Sequence, residues 1–409
     1  MLSLLDNNQG GFFYILASMK NIILFDDDQR DGLLPLSFTR PTALLRVGIL
    51  TLSEKWSLRL NGQVSYKTEE YLSNKFPIHK EEDNYWINGR VLPTAVLVAQ
   101  INELKTGQAI YHGEQLVASK GKAISDVNDK IPASEPCSWI ARPHDIFSLN
   151  GQEIQLDYDL LTADKVSQEI NTTNQVINQE NIFLEEGAKV NCAILNASAG
   201  PIYIGKDAEI MEGSIIRGPF AMCNNAVLKL GTKIYGATTL GPHCKAGGEL
   251  NNAVLTGYSS KAHDGFLGNS VLGEWCNLGA DTNNSNLKNN YAEVKLWDYR
   301  TERFAKTGLQ FCGLIMGDHS KCGINTMFNT GTVVGVNANI YGGGFPRNFI
   351  PSFAWGGSAG FMTYQFAKAK EVASKVMARR KIEFDAKEEA ILNHIFSTTA
   401  QYRNWESKA

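Results

Sequence analysis

Aliphatic or small residues recur at every sixth position through the middle of the chain. Eight of them follow one another at this spacing: Ile204, Ile210, Ile216, Met222, Leu228, Ile234, Leu240 and Ala246. The spacing returns at Phe266, Leu272 and Leu278, and again at Met316, Cys322, Phe328, Val334 and Ile340. A period of six fits neither an α-helix nor a hairpin sheet, whereas each short strand of a parallel β-helix turns one residue inward. Residues 180–355 are therefore predicted to form a parallel β-helix.

The regions on either side of this repeat have different patterns. Residues 19–160 begin with the apolar segment "NIILF" and alternate strand-like with helix-like stretches, which predicts an α/β domain. Within residues 361–409, apolar positions from Phe366 to Met377 share one helical face, and Asp385 with Glu388 marks a second helix start. We expect these two helices to cap the solenoid at its end or side. Residues 1–18 are expected to be an extension outside the fold.

Composition excludes several classes of protein. The formal net charge is -3 over 409 residues, which argues against a nucleic-acid binder that relies on bulk charge. No apolar run reaches the length of a transmembrane helix, so we expect no membrane partner. Seven scattered cysteines without a CxxC pair predict reduced thiols and a cytoplasmic protein, and they do not favour a zinc site.

The loop after the first predicted strand carries the candidate chemistry of the α/β domain. Arg30 and Arg40 lie in "ILFDDDQRDGLLPLSFTRPTALLRVG", where backbone N–H groups and guanidinium groups after a buried strand suit a phosphate. This segment resembles the signature of sugar-1-phosphate nucleotidylyltransferases, and "PLSFTRP" matches it best. Asp145 and Asn150 in "HDIFSLNG" resemble the closing segment of the same family. The resemblance implies binding of a nucleoside triphosphate, a nucleotide sugar or a sugar phosphate.

The loop also departs from that signature. The changed positions are Asp26, Asp27 and Asp28 in place of glycines, Thr42 in place of a lysine, and Arg90 in place of a metal-binding Asp. Three carboxylates beside a polyphosphate require a metal between them. One interpretation is thus a divergent nucleotidylyltransferase that uses Mg²⁺ with Arg30 and Arg40, and the other is a domain that kept the fold and lost or changed the reaction. A structural alternative makes Arg40 and Arg46 surface residues in salt bridges.

The stretch "KAHDGFLGNSVLGEWCNLGADTNNSN", from Lys261 to Asn286, combines one histidine with a run of amides. It resembles the acetyltransferase half of the bifunctional sugar-1-phosphate nucleotidylyltransferase/amino-sugar-1-phosphate acetyltransferases, which make UDP-N-acetylglucosamine. The resemblance is closest to the archaeal type and covers about residues 200–345, with a weaker match over 19–155. It implies a left-handed β-helix that transfers an acetyl group from acetyl-CoA to an amino-sugar 1-phosphate.

The resemblance also implies roles for individual residues. His263 would be the general base for the attacking amine, a task that suits an imidazole group, whose unperturbed pKa is about 6.5. Asn286 would orient the amine, and Lys295 would bind a phosphate or carbonyl oxygen. Phe266 stands where a tyrosine is usual in the substrate site, and Asp281 replaces a glycine. Acetyl-CoA would contact Gly279, Ala280 and Gly323.

Several alternatives remain open at this stage. The amides Asn283, Asn284 and Asn286 are turn residues in a purely structural interpretation. His319 is predicted to be a turn residue, with contact to CoA as the alternative. Residues 288–311 break the six-residue frame, and a long loop without periodicity is typically functional or at an interface. In the resembling family such a loop reaches a neighbouring subunit, which implies a homotrimer. The rival functions are acyl transfer to a different amino sugar and a non-catalytic sugar-nucleotide sensor or scaffold.

Overall fold

The computed structural model describes residues 19–406 and contains three parts. An α/β domain leads into a long parallel β-helix, and two helices follow it, which confirms the fold class predicted from the sequence. The extension expected at residues 1–18 lies outside the described residues. Among the residues described, no helix has the length and apolar character needed to span a membrane.

The N-terminal domain is a six-stranded mixed sheet with helices packed on it. Its strands are β1 (Lys20–Phe25), β2 (Gly62–Lys67), β3 (Asn84–Asn88), β4 (Gln108–His112), β5 (Gln115–Gly121) and β6 (Asp129–Pro132). Its helices are α1 (Leu52–Leu60), α2 (Glu70–Ser73), α3 (Ala95–Asn102) and α4 (Pro143–Thr162), with 3-10 turns at Arg30–Leu33 and Thr42–Leu44. The order β2-β1-β3-β5-β4-β6 places β1 between two parallel neighbours. Burial on both faces explains its unbroken apolar sequence.

The β-helix is built from short strands that pair in parallel with the strand one turn further on. Its first half comprises β7 (Gln175–Ile177), β8 (Ile182–Leu184), β9 (Lys189–Val190), β10 (Ile194–Asn196), β11 (Ile202–Ile204), β12 (Glu209–Ile210), β13 (Ile215–Arg217), β14 (Phe220–Met222), β15 (Val227–Leu228), β16 (Lys233–Tyr235), β17 (Thr238–Leu240) and β18 (Lys245–Ala246). The second half comprises β19 (Glu249–Gly257), β20 (Ser260–Lys261), β21 (Phe266–Glu274), β22 (Asn277–Leu278), β23 (Asn283–Asn284), β26 (Leu314–Met316), β27 (Lys321–Cys322), β28 (Met327–Phe328), β29 (Thr332–Val334), β30 (Asn339–Ile340), β31 (Phe349–Ile350) and β32 (Ala354–Gly357). Between β23 and β26, β24 (Lys295–Asp298) and β25 (Arg303–Lys306) form a separate antiparallel hairpin, and β33 (Gly360–Thr363) pairs antiparallel with β32 at the end. Short 3-10 turns occur at Gln179–Asn181 and, after the solenoid, at Ala400–Tyr402.

The six-residue frame corresponds to the interior of the solenoid. All of the predicted inward residues from Ile204 to Ala246 are buried in one continuous core cluster. One predicted position is wrong, because Phe266 is only half-buried and its neighbour Leu267 occupies the interior instead. The long strands β19 and β21 cause this shift, since Leu250 and Leu255 pair with Leu267 and Leu272 at a spacing of five.

One corner of the solenoid carries a stack of rings. His243, Tyr258, Trp275 and His319 occupy the same corner in successive turns, and each has a positive φ near 60°. Consecutive ring centroids lie 5.2, 4.2 and 6.2 Å apart, and the planes are within 17° of parallel. The prediction that His319 is a turn residue agrees with this position. Its ring is buried, which lowers the pKa of the imidazole well below its ordinary value.

The C-terminal helices α5 (Phe366–Ala378) and α6 (Ala386–Thr398) pack against the side of the molecule. Asp385 caps α6 by accepting hydrogen bonds from the N–H groups of Lys387 and Glu388. The Glu388 carboxylate forms an ion pair with Lys75 of the N-terminal domain instead of completing a capping box. Residues of both helices share a core cluster with the loop after β1 and with the wall of the solenoid. They therefore hold the N-terminal domain to the solenoid rather than only closing its end.

Candidate functional site

The motif that begins at Lys261 folds into a turn on the surface of the solenoid. Lys261 takes an inward position opposite Ala246, and its side chain is 1% exposed. Its ammonium group donates hydrogen bonds to the carbonyl oxygens of Gly247 (3.1 Å), His263 (2.5 Å) and Asp264 (3.2 Å). The predicted base His263 is exposed on the outside of this turn. A buried cation thus holds the backbone that presents the histidine.

The structure brings Phe266 and Asn286 together above Gly268. A Cβ atom at Gly268 would clash with the ring of Phe266 and would lie 2.7 Å from Nδ2 of Asn286. That same amide nitrogen donates a hydrogen bond to Oδ1 of Asn269 at 2.8 Å. Three side chains that the sequence separates by up to 20 residues therefore meet at one small glycine-floored surface.

The other amides of the run serve the backbone. Asn283 accepts a hydrogen bond from the N–H of Phe266 at 2.8 Å, and Asn284 accepts one from the N–H of Gly268 at 2.9 Å. Asn284 also donates to the carbonyl oxygen of Gly268 at 3.1 Å. Both residues thus fasten the turn that carries His263 to the next turn of the solenoid. Their amides are structural in this arrangement, whereas Asn286 lies beside the candidate substrate surface.

The residues predicted to contact acetyl-CoA lie on adjacent turns. Gly279 and Gly323 stack directly, since a Cβ atom on Gly279 would collide with the backbone of Gly323. The carbonyl oxygen of Ala280 accepts a hydrogen bond from the N–H of Asn325 at 2.8 Å. Asp281 has a φ of +55°, a left-handed conformation that glycine adopts without strain. The close approach explains why glycines occur here, and contact with acetyl-CoA stays a prediction.

Lys295 lies on the hairpin formed by β24 and β25 within the predicted insertion. The hairpin packs on its own chain, with Trp297 stacked on Phe349 at 4.2 Å between ring centroids. Its Asp298 pairs with Arg142 at the start of α4. Together with the exposed Lys295, aromatic side chains line a cleft of about 670 Å³ beside the hairpin.

The carboxylates after β1 are occupied by donors from the same chain. Asp26 accepts hydrogen bonds from Thr42, Thr68 and Arg30. Asp27 accepts two from the guanidinium group of Arg90, at 2.8 and 2.6 Å. Burial alone raises the pKa of Asp27, but the hydrogen bonds from Arg90 and Asn88 hold it below its ordinary value.

This arrangement does not fit a magnesium site. Both carboxylates have their oxygens directed at protein donors, and the third, Asp28, is exposed. In residues 19–406, no group of three or more His, Cys, Asp or Glu side chains is placed to hold a metal ion. We therefore assign no catalytic step of this domain to Mg²⁺.

The two arginines predicted to bind phosphate are held inside the protein. Arg30 is 4% exposed and contacts Asp26, the carbonyl oxygen of Ser37 and the hydroxyl of Tyr71 at 3.1 Å. It borders a cavity of about 250 Å³, which His394 of α6 helps to line while its ring stacks on that of Tyr71. Ligand binding by Arg30 stays a prediction, and the site available to a ligand is small.

Arg40 connects the two domains. Its guanidinium group pairs with Asp318 and, at 3.0 Å, with Glu274, both on the solenoid. Burial alone lowers the pKa of Arg40, but these two carboxylates keep it above its ordinary value. Arg46 is also buried, where it contacts the carbonyl oxygen of Thr256. The structural alternative placed these arginines at the surface, and that placement is wrong because both are buried. Substrate binding by Arg40 stays a prediction.

The matched residues of the closing segment have structural roles. Asp145 accepts hydrogen bonds from the N–H groups of Ala141 and Arg142 at the start of α4. Asn150 is fully buried between the domains. Its amide accepts from the N–H of Gly48 at 2.8 Å and donates to the carbonyl oxygen of Ala237 at 3.0 Å.

Comparison with known proteins identifies the N-terminal region. Residues 22–166 match the family model described as sugar nucleotidyl transferase. The N-terminal domain is thus similar to sugar nucleotidyl transferases, as its loop motif predicted. The match ends with α4, so it covers the six-stranded sheet and the helices packed on it, whereas the solenoid lies outside it.

Curated relatives include proteins named as acetyltransferases, one of them also as a nucleotidylyltransferase. The chain is 30% identical over 146 residues, 35% of its length, to a bifunctional sugar-1-phosphate nucleotidylyltransferase/acetyltransferase of Sulfurisphaera tokodaii. It is 27% identical over 150 residues, 36% of its length, to the uncharacterized acetyltransferase YaiX of Escherichia coli. It is 32% identical over 92 residues, 22% of its length, to the bifunctional protein GlmU of Methanocaldococcus jannaschii. The matches span 36%, 64% and 22% of those relatives, less than two thirds of each.

Sequence reasoning missed two residues. Lys261 lies in the motif described above, but the sequence predicts its inward position only if the six-residue repeat is counted from Leu255. Asp318 carries no local signal, because its partners Thr39 and Arg40 lie almost 280 residues away along the chain. The first could have been found from the repeat, and the second requires the assembled domains.

Proposed function

We propose that the solenoid transfers an acetyl group from acetyl-CoA to the amine of an amino-sugar phosphate. The observation that carries this proposal is the meeting of Phe266 and Asn286 over Gly268, one short turn from the exposed His263. The relatives named as acetyltransferases support the same reaction class. The motif resembles that of enzymes that make UDP-N-acetylglucosamine, so we propose this pathway.

The arrangement fits the chemistry of amide formation. The amine attacks the thioester carbonyl carbon, and collapse of the tetrahedral intermediate releases CoA as the thiol. His263 accepts the proton that the amine loses, which is general-base catalysis, and the resulting imidazolium returns a proton to the departing sulfur of CoA. Asn286 orients the amine or its neighbouring hydroxyl through its amide, and Phe266 supports the sugar ring. Lys261 acts through the backbone of residues 263–264 and does not touch the substrate.

A second candidate function is nucleotidyl transfer by the N-terminal domain. The family match over residues 22–166 favours it. The engagement of Asp26, Asp27 and Arg40 within the protein weighs against it. Pyrophosphate release from a nucleoside triphosphate and a sugar 1-phosphate, with Mg²⁺ present, tests this activity directly. If no pyrophosphate is released, the N-terminal domain serves as a scaffold that carries the solenoid.

The experiment that tests acetyl transfer is thiol release from acetyl-CoA with glucosamine 1-phosphate or galactosamine 1-phosphate. Activity is expected in the full chain, with a loss of about a hundredfold or more in His263→Ala, since general-base catalysis contributes this much. His79→Ala is the matched control, because His79 is an exposed histidine far along the chain in the other domain. A folded wild type that acetylates neither sugar contradicts the proposal.

A homotrimer is part of the same proposal, on the resemblance alone. Size-exclusion chromatography with light scattering measures it, and a monomer with full activity rules out a site shared between subunits. Cytoplasmic location likewise rests on the thiols and the resemblance.

A further inference from the structure

A cleft beside the β24–β25 hairpin combines positive charge with aromatic surface. We call it the hairpin cleft, and the residues that define it are Lys288, Lys295, Arg347, Trp297, Phe304 and Phe349. Among its lining residues within 19–406 there is no carboxylate. Its volume, about 670 Å³, lies within the range typical of small-molecule sites.

The charges in this cleft are available to a ligand. The side chains of Lys295 and Arg347 are both exposed, and among the described residues neither side chain forms a hydrogen bond or a close ion pair. The Glu293 carboxylate, which pairs with Lys306, also interacts electrostatically with Lys295, but it does not line the cleft. Lys288 donates only to the carbonyl oxygen of Glu293, at 3.0 Å. Three cations without a neutralising carboxylate among the lining residues attract an anion, and Arg binds phosphate oxygens in pairs.

The aromatic side chains of the hairpin cleft favour a ligand that also carries a flat ring. Trp297 and Phe349 stack with an interplanar angle of 10°, and Phe304 meets Trp297 edge-on at 5.5 Å. Phe304 is 43% exposed, so its ring is available for a further stack. The indole Nε1 of Trp297 is buried and has no hydrogen-bond acceptor among the described residues. The exposed ring faces, rather than this buried donor, suit stacking by a heterocyclic base.

The cleft adjoins the proposed transfer site. Thr330, which also lines it, donates a hydrogen bond to Ser285 at 3.0 Å, and Ser285 directly precedes Asn286. Lys288 follows two residues later on the same segment. A ligand in the cleft would therefore place its far end near Asn286.

We propose that the hairpin cleft binds a nucleoside diphosphate, with the base against Phe304 and Trp297 and the phosphates on Lys295, Arg347 and Lys288. Two substrates carry this group, namely CoA and a nucleotide-linked sugar. The use of the cleft as a substrate subsite rests on the proposed acetyl transfer, whereas nucleotide binding itself does not.

Isothermal titration of the full chain with ADP, UDP, CoA and a UDP-linked sugar tests this proposal. We expect at least one of these to bind, and the double variant Lys295→Ala/Arg347→Ala to weaken that binding about tenfold or more, because two charge-assisted contacts are lost. Lys306→Ala is the control, because Lys306 pairs with Lys295 across the hairpin without lining the cleft. It should leave the affinity within about twofold.

The outcomes separate the alternatives. Preference for ADP and CoA assigns the cleft to the acyl donor, and preference for UDP and the UDP-linked sugar assigns it to the acceptor. No binding of any of the four, or binding that the double variant leaves unchanged, overturns the proposal. If thiol release is absent while nucleotide binding depends on Lys295 and Arg347, the cleft stands and the proposed acetyl transfer falls.

Discussion

The side chain of Lys261 is the most unusual single feature of the candidate site. A lysine in the interior of a solenoid is costly unless its ammonium group is hydrogen-bonded. Here three carbonyl oxygens receive its three N–H groups, and one of them belongs to His263. The hydrogen bonds that offset the burial of this charge therefore also fix the conformation of the turn that carries His263.

The titration of Lys261 should be visible in stability. Burial lowers its pKa to about 8 from the ordinary 10.5, so the folded protein binds fewer protons than the unfolded chain between these values. The free energy of unfolding that this residue contributes therefore rises with pH in that window. Relative to Lys261→Met, we expect the wild type to gain on the order of 2 kcal/mol between about pH 7.5 and pH 10.

Urea unfolding at the two pH values measures this gain. Lys233→Met changes an exposed lysine of the same solenoid and should show a constant difference from the wild type. An equally constant difference for Lys261→Met would contradict the burial of a charged group at this position.

Gly268 offers a test of the substrate surface without touching a functional group. In Gly268→Ala the new methyl group displaces the ring of Phe266 and the amide of Asn286, both of which belong to half-buried side chains rather than to the backbone. We expect acetyl transfer to fall about tenfold or more, because small misplacements are expensive in catalysis. The melting temperature should change little.

Gly343→Ala is the matched control, since a Cβ atom at Gly343 meets nothing within 4 Å. Thiol release and thermal melting of both variants test whether the surface above Gly268 takes part in acetyl transfer. Full activity in Gly268→Ala would remove Phe266 and Asn286 from the site.

At the scale of elements, the repeat could be predicted from the sequence because every turn of the solenoid needs an aliphatic or small residue at the same inward position. The frame failed at Phe266, where two nine-residue strands change the spacing to five. Period six also leaves the hand of the solenoid undetermined, since it counts residues per strand and not the direction of coiling. The contacts of α6 were not readable either, because a helical face shows that something is buried and not against what.

The start of α6 supports a separate prediction. Asp385→Ala removes the acceptor for the N–H groups of Lys387 and Glu388, so the helix loses its cap. The free energy of unfolding should fall by about 1 kcal/mol. Chemical denaturation measures the change, with the exposed neighbour Lys387→Ala as control, and an equal effect of the two variants would contradict a capping role.

At the scale of the whole molecule, the domains share their packing. One core cluster joins Leu33, Leu36 and Phe38 of the N-terminal loop to Ile315 and Phe353 of the solenoid. Asp318 adds polar contacts by accepting from Thr39 at 2.7 Å and pairing with Arg40. The segment that resembles a nucleotide-binding signature is thus an interface segment, which sequence comparison could not reveal because the partner residues lie in the other domain.

This interface predicts cooperative unfolding. Arg40→Ala leaves Asp318 as a buried carboxylate without its cation, and such losses cost about 3–5 kcal/mol. Calorimetry should record one transition for the wild type and a lower, broader or divided one for Arg40→Ala. Arg217→Ala, an exposed arginine of the solenoid, should resemble the wild type. Two well-separated transitions in the wild type itself would contradict the shared core.

The hairpin has a consequence for how such a protein can change over generations. The turns before and after it pair as if it were absent, with Leu272 opposite Met316 and Leu278 opposite Cys322. Its exposed positions can therefore vary while the pairing of the solenoid stays in register, whereas Val294, Leu296 and Tyr299 are constrained by their burial in the shared core. A lineage can retune what the cleft admits by mutation within residues 288–311 and inherit the rest of the molecule unaltered.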